Sequence, residues 1–159
     1  MHNISKEQFD NEVVYGSSLA QITLAYNFLL DLEHKRTFLE NQPQDKVSCE
    51  ELILHELNAT AFRMLVINYT VALIGKGKYD KTSIHNDPKY NQDSRLKDFY
   101  SKRKSDITYL KDMRNKIYAH IDLDAPESID LERVYKLVKD AIILVTDVIG
   151  IENPKIKPR

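Results

Sequence analysis

The stretch "DMRNKIYAHIDLD", Asp112 to Asp124, places Arg114, Asn115 and His120 within two helical turns of one another. Apolar residues recur around them at Ile107, Leu110, Ile117 and Ile121. On a helical wheel of about 100° per residue, Leu110, Met113 and Ile121 fall within about 40° of Ile117. Arg114 takes a place in this series where another apolar side chain is due. It lies about 60° to one side of the stripe, and His120 about 60° to the other. A guanidinium so placed calls for an anion, and an imidazole exchanges protons near neutral pH. Two plainer assignments stay open: Arg114 pairs with a buried carboxylate such as Glu33 or Glu56, and His120 favours the negative end of the helix dipole.

The elements that must carry these residues are helices. Phe9, Val13, Ala20, Leu24, Phe28 and Leu32 keep helical spacing behind a capping box of Ser5 and Gln8, predicting a first helix over about 6–40 that Gly16 bends or weakens. Pro43 breaks the pattern, and Ser48 with Glu51 opens a second helix over 49–74. Residues 75–94 are polar and turn-rich, a surface loop of a length that is usually functional or mobile. A third helix begins near Ser94, or near Ser105 if "SKRKS" interrupts it, and ends near His120 ahead of Pro126. A fourth covers about 128–149 with Gly150 as its C-terminal cap. Its second half, "AIILVTDVIG", is apolar on nearly every side, so it is central or covered by another chain.

"RNKIYAH" resembles the signature of HEPN domains, small α-helical bundles in which an arginine, usually followed by a polar residue, precedes a histidine by four to six residues. Arg114, Asn115 and His120 match, and "AHID" is similar to the abortive-infection, phage-defence branch of the family. The resemblance implies a metal-independent endoribonuclease acting as a homodimer, two copies of the motif facing each other across a cleft. In that chemistry the RNA 2′-hydroxyl attacks the neighbouring phosphate, with His120 as acid and base and Arg114 as phosphate clamp. Asn115 would orient phosphate or histidine, and Tyr118 and Asp122 would flank the site. The placement of Arg114 and His120 on opposite shoulders of one stripe fits a site completed by a second chain. A prokaryotic defence or toxin–antitoxin setting, with an antitoxin or regulatory protein as partner, is also implied.

Between 76 and 104, nine basic residues (Lys76, Lys78, Lys81, Lys89, Arg95, Lys97, Lys102, Arg103, Lys104) face four acids (Asp80, Asp87, Asp93, Asp98), a local excess of five positive charges. With Tyr79, Tyr90, Phe99 and Tyr100 interleaved, the segment could track an RNA backbone and stack its bases, Lys102, Arg103 and Lys104 foremost, or be a solvated loop and helix face. His85 reads as a loop histidine unless it lies beside the cleft. Other patterns fail. "HELNA" at 55–59 lacks a second histidine for zinc, "GKGK" at 75–78 lacks the spacing of a phosphate loop, and "DLDAPE" at 122–127 lacks the glycine of a calcium loop. No metal or cofactor is expected. Cys49 has no histidine near it in sequence and is not read as a nucleophile.

Length and composition fit this picture. With 159 residues, 42% hydrophobic, 30% charged and only four glycines, the chain suits one all-α domain over 1–150, an up-and-down bundle of four to five helices. The tail 151–159 is expected to be basic and disordered. Net charge is -1, so any nucleic-acid surface must be local. A single cysteine and a start without a basic-then-apolar leader predict a cytoplasmic protein. The longest uninterrupted apolar runs, 71–74 and 141–145, fall well below the roughly 18–20 residues of a bilayer span, so no membrane association is expected. Beside the ribonuclease stand two alternatives: a non-catalytic HEPN-like module holding nucleotide, RNA or a protein partner, and a plain structural bundle whose Arg114 and His120 satisfy local charges.

Overall fold

Four α-helices carry the chain, with no strand among the described residues: α1 Ser17–Glu40, α2 Cys49–Ile74, α3 Ser94–Ala119 and α4 Leu131–Ile149. The computed structural model describes residues 6, 10, 12–43, 46–77, 80, 82–119, 129–152 and 154–158, with residues 12 and 116–119 described through the backbone alone. Neighbouring helices run antiparallel. Phe28 meets Phe62, and Arg36 further along α1 reaches back to Glu56 on α2. Likewise Arg95 bonds the Asp147 carbonyl while Arg133 bonds Asp106, so α3 and α4 also run in opposite senses.

Local chemistry explains where the helices begin and end. The Ser48 hydroxyl accepts the Glu51 N–H at 3.1 Å, so α2 opens as expected, and it stops at Gly75. Gly150 adopts φ +73°, the left-handed cap that favours glycine, and closes α4. A π-helical stretch, Glu12–Gly16, runs directly into α1, and Gly16 keeps right-handed helical geometry at the junction, inside the helix as expected. The capping box at Ser5 lies outside the described residues. α4 begins at Leu131 rather than near Ser128, because Asp130 is the residue whose carboxylate accepts the Arg133 N–H. Of the two starts considered for α3, Ser94 is the one adopted. "SKRKS" stays helical within α3, where Lys102 pairs with Asp98, and Arg103 with Asp106 and Asp140.

The core is aliphatic and aromatic. Leu19, Ile22, Leu29 and Leu30 of α1, Val66 and Ile67 of α2, and Leu96, Ile107 and Leu110 of α3 are buried around α4, where Leu137, Val138, Ile142 and Val145 are sealed. At about 1.5–3 kcal/mol for each fully buried large aliphatic side chain, α4 contributes strongly to a core that α1, α2 and α3 share. Its apolar second half is therefore central, with Ile143 left partly exposed. Tyr26 and Tyr135 meet edge-on inside this core, and the Tyr135 hydroxyl donates to Glu33.

The segment 154–158, expected to be disordered, lies along α1. Asn27 donates to the Lys155 carbonyl at 2.9 Å and accepts the Lys157 N–H, and Lys157 pairs with Asp31. Ile151 and Ile156 pack on the core, an apolar anchor that the count of basic residues hides.

The outer face of the α1–α2 pair is unusually apolar. Leu24, Phe28 and Phe38 on α1 and Leu52, Ile53, Leu54, Leu57 and Leu65 on α2 are exposed, and a groove of about 340 Å³ runs between Leu24, Phe28, Phe62 and Leu65. Averaged over 18 residues, Val13–Glu40 and Cys49–Ile74 reach mean hydropathies of 1.2 and 1.4, long and apolar enough by length and composition to cross a membrane. The expectation drawn from uninterrupted runs missed this, because isolated polar residues punctuate both helices.

Candidate functional site

Arg114 stands on the last third of α3, facing the loop that follows α2. Its Nη1 lies 3.5 Å from Asp80 Oδ1, and its Nε 3.4 Å from the Asn115 side-chain oxygen. One turn earlier, Lys111 Nζ lies 3.2 Å from Asp80 Oδ2. The plainer assignment, Arg114 paired with a buried carboxylate, is thus met by Asp80, rather than by Glu33 or Glu56. Glu33 accepts from Tyr135, and Glu56 is held by Arg36 and Arg63. Below Arg114, Leu110 and Met113 form the buried stripe as the wheel predicts.

Asp80 is 7% exposed at its side chain, whereas Lys111 and Arg114 keep 23% and 29%. A buried carboxylate thus lies beneath two part-exposed cations. Burial alone raises its pKa, but the Lys111 hydrogen bond, the Gly77 N–H and the charges of Lys111 and Arg114 outweigh that and hold it below the usual carboxylate range. Gly77 N–H donates to Oδ2 at 2.7 Å, and Asn86 Nδ2 donates to the carbonyls of Asp80 (2.8 Å) and Gly77 (3.2 Å), pinning the turn. The loop so fastened crosses in front of α3.

Beside this cluster lies His85, in the short 3-10 turn Ile84–Asn86. Its ring meets Tyr100 edge-on at 4.9 Å, and Lys76 sits over the Tyr100 ring at 5.0 Å. Burial and the positive charges of Lys76 and Lys111 push its pKa down to about 4, so it is neutral at physiological pH. Its Nε2 is enclosed and has no hydrogen-bond partner among the described residues.

Of the predicted site residues, Arg114 and Asn115 are adjacent and in contact. His120 and Asp122 lie outside the described residues, and Tyr118 is described through its α3 backbone alone. Along the basic segment, Lys102 bonds Asp98 at 2.8 Å, Arg95 is bound to Asp93, and Arg103 is spent on Asp106 and Asp140, whereas Lys97 reaches the neutral Gln92, Lys76 lies over the Tyr100 ring and Lys104 is exposed. The aromatic residues face inward rather than offering stacking surfaces: Tyr90 is buried against Tyr15, Phe99 packs on the core, and Tyr100 is covered by Lys76 and His85. Tyr79 lies outside the described residues.

Asp80 and Lys111 are the residues that sequence reasoning missed, while His85, read as a loop histidine unless beside the cleft, lies next to this cluster. One signal was present. Two of the chain's four glycines fall at Gly75 and Gly77, five and three residues before Asp80, where a close backbone approach is the natural reason for them. Among the described residues no three His, Cys, Asp or Glu side chains converge as metal ligands. No family model matches the chain, and neither a curated protein nor a solved structure matches it.

Proposed function

We propose that the protein is a metal-independent endoribonuclease of the HEPN type, working as a homodimer in a prokaryotic phage-defence or toxin–antitoxin system. The observation that carries this is the placement of Arg114, within the "RNKIYAH" motif, part-exposed beside Lys111 at the end of α3. In an all-α bundle with Arg114 and Asn115 on its third helix, this supports an anion site of the kind that the resemblance implies.

The reaction needs only what RNA and these residues supply. A neutral His120 takes the 2′-hydroxyl proton, the 2′ oxygen bonds to phosphorus, and the P–O5′ bond breaks. The leaving 5′ oxygen is protonated by the imidazolium of the second copy. Arg114 neutralises charge gathering on the non-bridging oxygens, and Asn115 supplies a neutral hydrogen bond beside it. The products are a 2′,3′-cyclic phosphate and a 5′-hydroxyl.

A dimer has a surface to form on. Eight large apolar side chains on α1 and α2 are between 38% and 70% exposed. The same face, or a neighbouring one, is where an antitoxin would bind. We assign it to protein rather than lipid because α2 carries the ion-paired Glu56 and Arg63 in mid-helix, 2.9 Å apart, which a bilayer interior disfavours. The cytoplasm is the setting that a defence ribonuclease requires.

Purified protein incubated with RNA in chelator is expected to yield cyclic-phosphate ends. His120→Ala and Arg114→Ala should each abolish them at unchanged helicity, and cleavage persisting in both variants refutes the assignment. The apolar face favours a second reading, a non-catalytic assembly module. It predicts RNA or nucleotide binding with no new ends.

A further inference from the structure

We propose that Asp80 is the positioning residue of a two-cation phosphate clamp, in which Lys111 is a second phosphate-gripping residue beside Arg114 and the Gly75-Lys76-Gly77 turn is the socket that fixes the carboxylate. The inference rests on the ribonuclease assignment and specifies how that site holds its substrate.

Three features carry it. The carboxylate divides its oxygens, Oδ2 taking Lys111 at 3.2 Å and Oδ1 taking Arg114 at 3.5 Å, so one rigid group aims both cations. Residues 111 and 114 are one turn apart on α3, with Cβ atoms about 5–6 Å from each other, a spacing suited to two oxygens of one phosphate. Lys111 brings a point charge, and Arg114 a planar fork with donors to spare.

The socket is shaped for this carboxylate. A Cβ on Gly77 would sit 2.6 Å from Asp80 Oδ2, and one on Gly75 would sit 2.5 Å from both Oδ2 and the Val71 carbonyl. Both glycines are there because nothing larger allows the approach. The "GKG" that fails as a phosphate loop thus cradles a side-chain anion, which in turn presents two cations outward. Among the described residues charge is also in surplus: Lys111 and Arg114 share the one carboxylate of Asp80, and a phosphodiester would take up part of the excess.

The full chain is tested with two variants that separate charge from position. Asp80→Asn keeps the shape and removes the charge, whereas Gly77→Ala keeps the charge and displaces the carboxylate. Each is expected to lower kcat for RNA cleavage at least about tenfold with KM changed less than about threefold, the signature of an interaction made in the transition state. Charge count alone predicts the reverse for Asp80→Asn, since losing an anion would tighten RNA binding. A merely structural role would lower activity in step with the folded fraction seen by circular dichroism. Lys111→Met and Arg114→Met should each reduce the slope of log binding constant against log salt by about one, measured with a single-stranded RNA oligonucleotide.

Wild-type kcat in folded Asp80→Asn and Gly77→Ala, or an unchanged salt slope in Lys111→Met, overturns the proposal. Where either loop variant does not fold, the salt slopes decide. If the wild-type protein yields no cyclic-phosphate ends, the ribonuclease assignment fails by itself, and the clamp stands or falls on those same slopes.

Discussion

Two clusters of paired charge share α3, one about five residues beyond the other. In the first, Arg103 and Arg133 meet Asp106 and Asp140, two cations against two anions, and Arg133 also bonds Ser105 and lies over the Tyr109 ring. In the second, Lys111 and Arg114 share Asp80, with Lys76 nearby. The first is neutral and joins two helices. The second joins a helix to a loop and, among the described residues, sets two part-exposed cations against one carboxylate. A basic residue in sequence therefore says little until its anion is located, and a cluster with more cations than carboxylates is the one equipped to bind something else.

The largest expected effect separates the two arginines directly. Arg114→Ala should reduce RNA cleavage by about 100-fold or more, the usual cost of losing one charge-stabilising donor, and move the melting temperature little. Arg103→Ala, assayed well below its melting point, should keep cleavage within about threefold of wild type. Equal losses of activity would erase the distinction. The second effect reverses the roles. Asp106→Ala leaves Arg103 and Arg133 short of a shared carboxylate, which the two arginines hold below the usual pKa range against its partial burial. The expected loss is about 2 kcal/mol of stability, or about 4–8 °C in Tm, read by thermal melts.

Much of the fold was legible because it is written in local rules. α2 matches its expected bounds since Ser48 and Gly75 act within a turn of its ends, and Gly150 closes α4 for the same reason. The Arg114 anomaly was visible too, as a charge in an apolar series. Its partner was not, because Asp80 lies 34 residues away in a loop without periodicity. The same applies to Arg103, whose anion Asp140 is 37 residues distant on α4. Counting charges between 76 and 104 gave an excess but not its pairing, since Arg103 finds its carboxylates at Asp106 and Asp140, outside the segment. The exposed apolar face was illegible for the opposite reason: helical spacing predicts a buried stripe, and nothing in the sequence says which stripe stays uncovered.

A smaller effect tests whether the second cluster carries its charge unchanged across working pH. With His85 pushed down to about 4 in the folded protein and near its ordinary 6.5 when unfolded, the unfolded chain binds more protons between those values. Stability from this group is complete above pH 6.5 and is lost as pH falls towards 4. Solvent reaches part of the ring, so the loss is expected to be about 1 kcal/mol, or about 2–4 °C in Tm, rather than the full shift. His85→Gln should flatten the Tm profile in that window. The Asp80 carboxylate, whose pKa is lowered, loses its contribution only at lower pH, below about 4. A His85→Gln profile as steep as that of wild type would show that His85 does not titrate as its surroundings require.

The smallest effect is the sharpest check on where RNA lies. Lys102 is 72% exposed and pairs with Asp98 one turn away, an arrangement that contributes little to stability because water and salt screen it. Lys102→Ala should change Tm by less than about 2 °C. If the RNA path is confined to the second cluster, the substitution should also leave the salt slope of RNA binding at its wild-type value, while Lys111→Met lowers that slope by about one. A drop of about one in Lys102→Ala as well would mean that phosphate contacts continue along the outer face of α3. The matched pair Lys102–Asp98 would then open on binding, and neutrality in the free protein would no longer mark a cluster as structural.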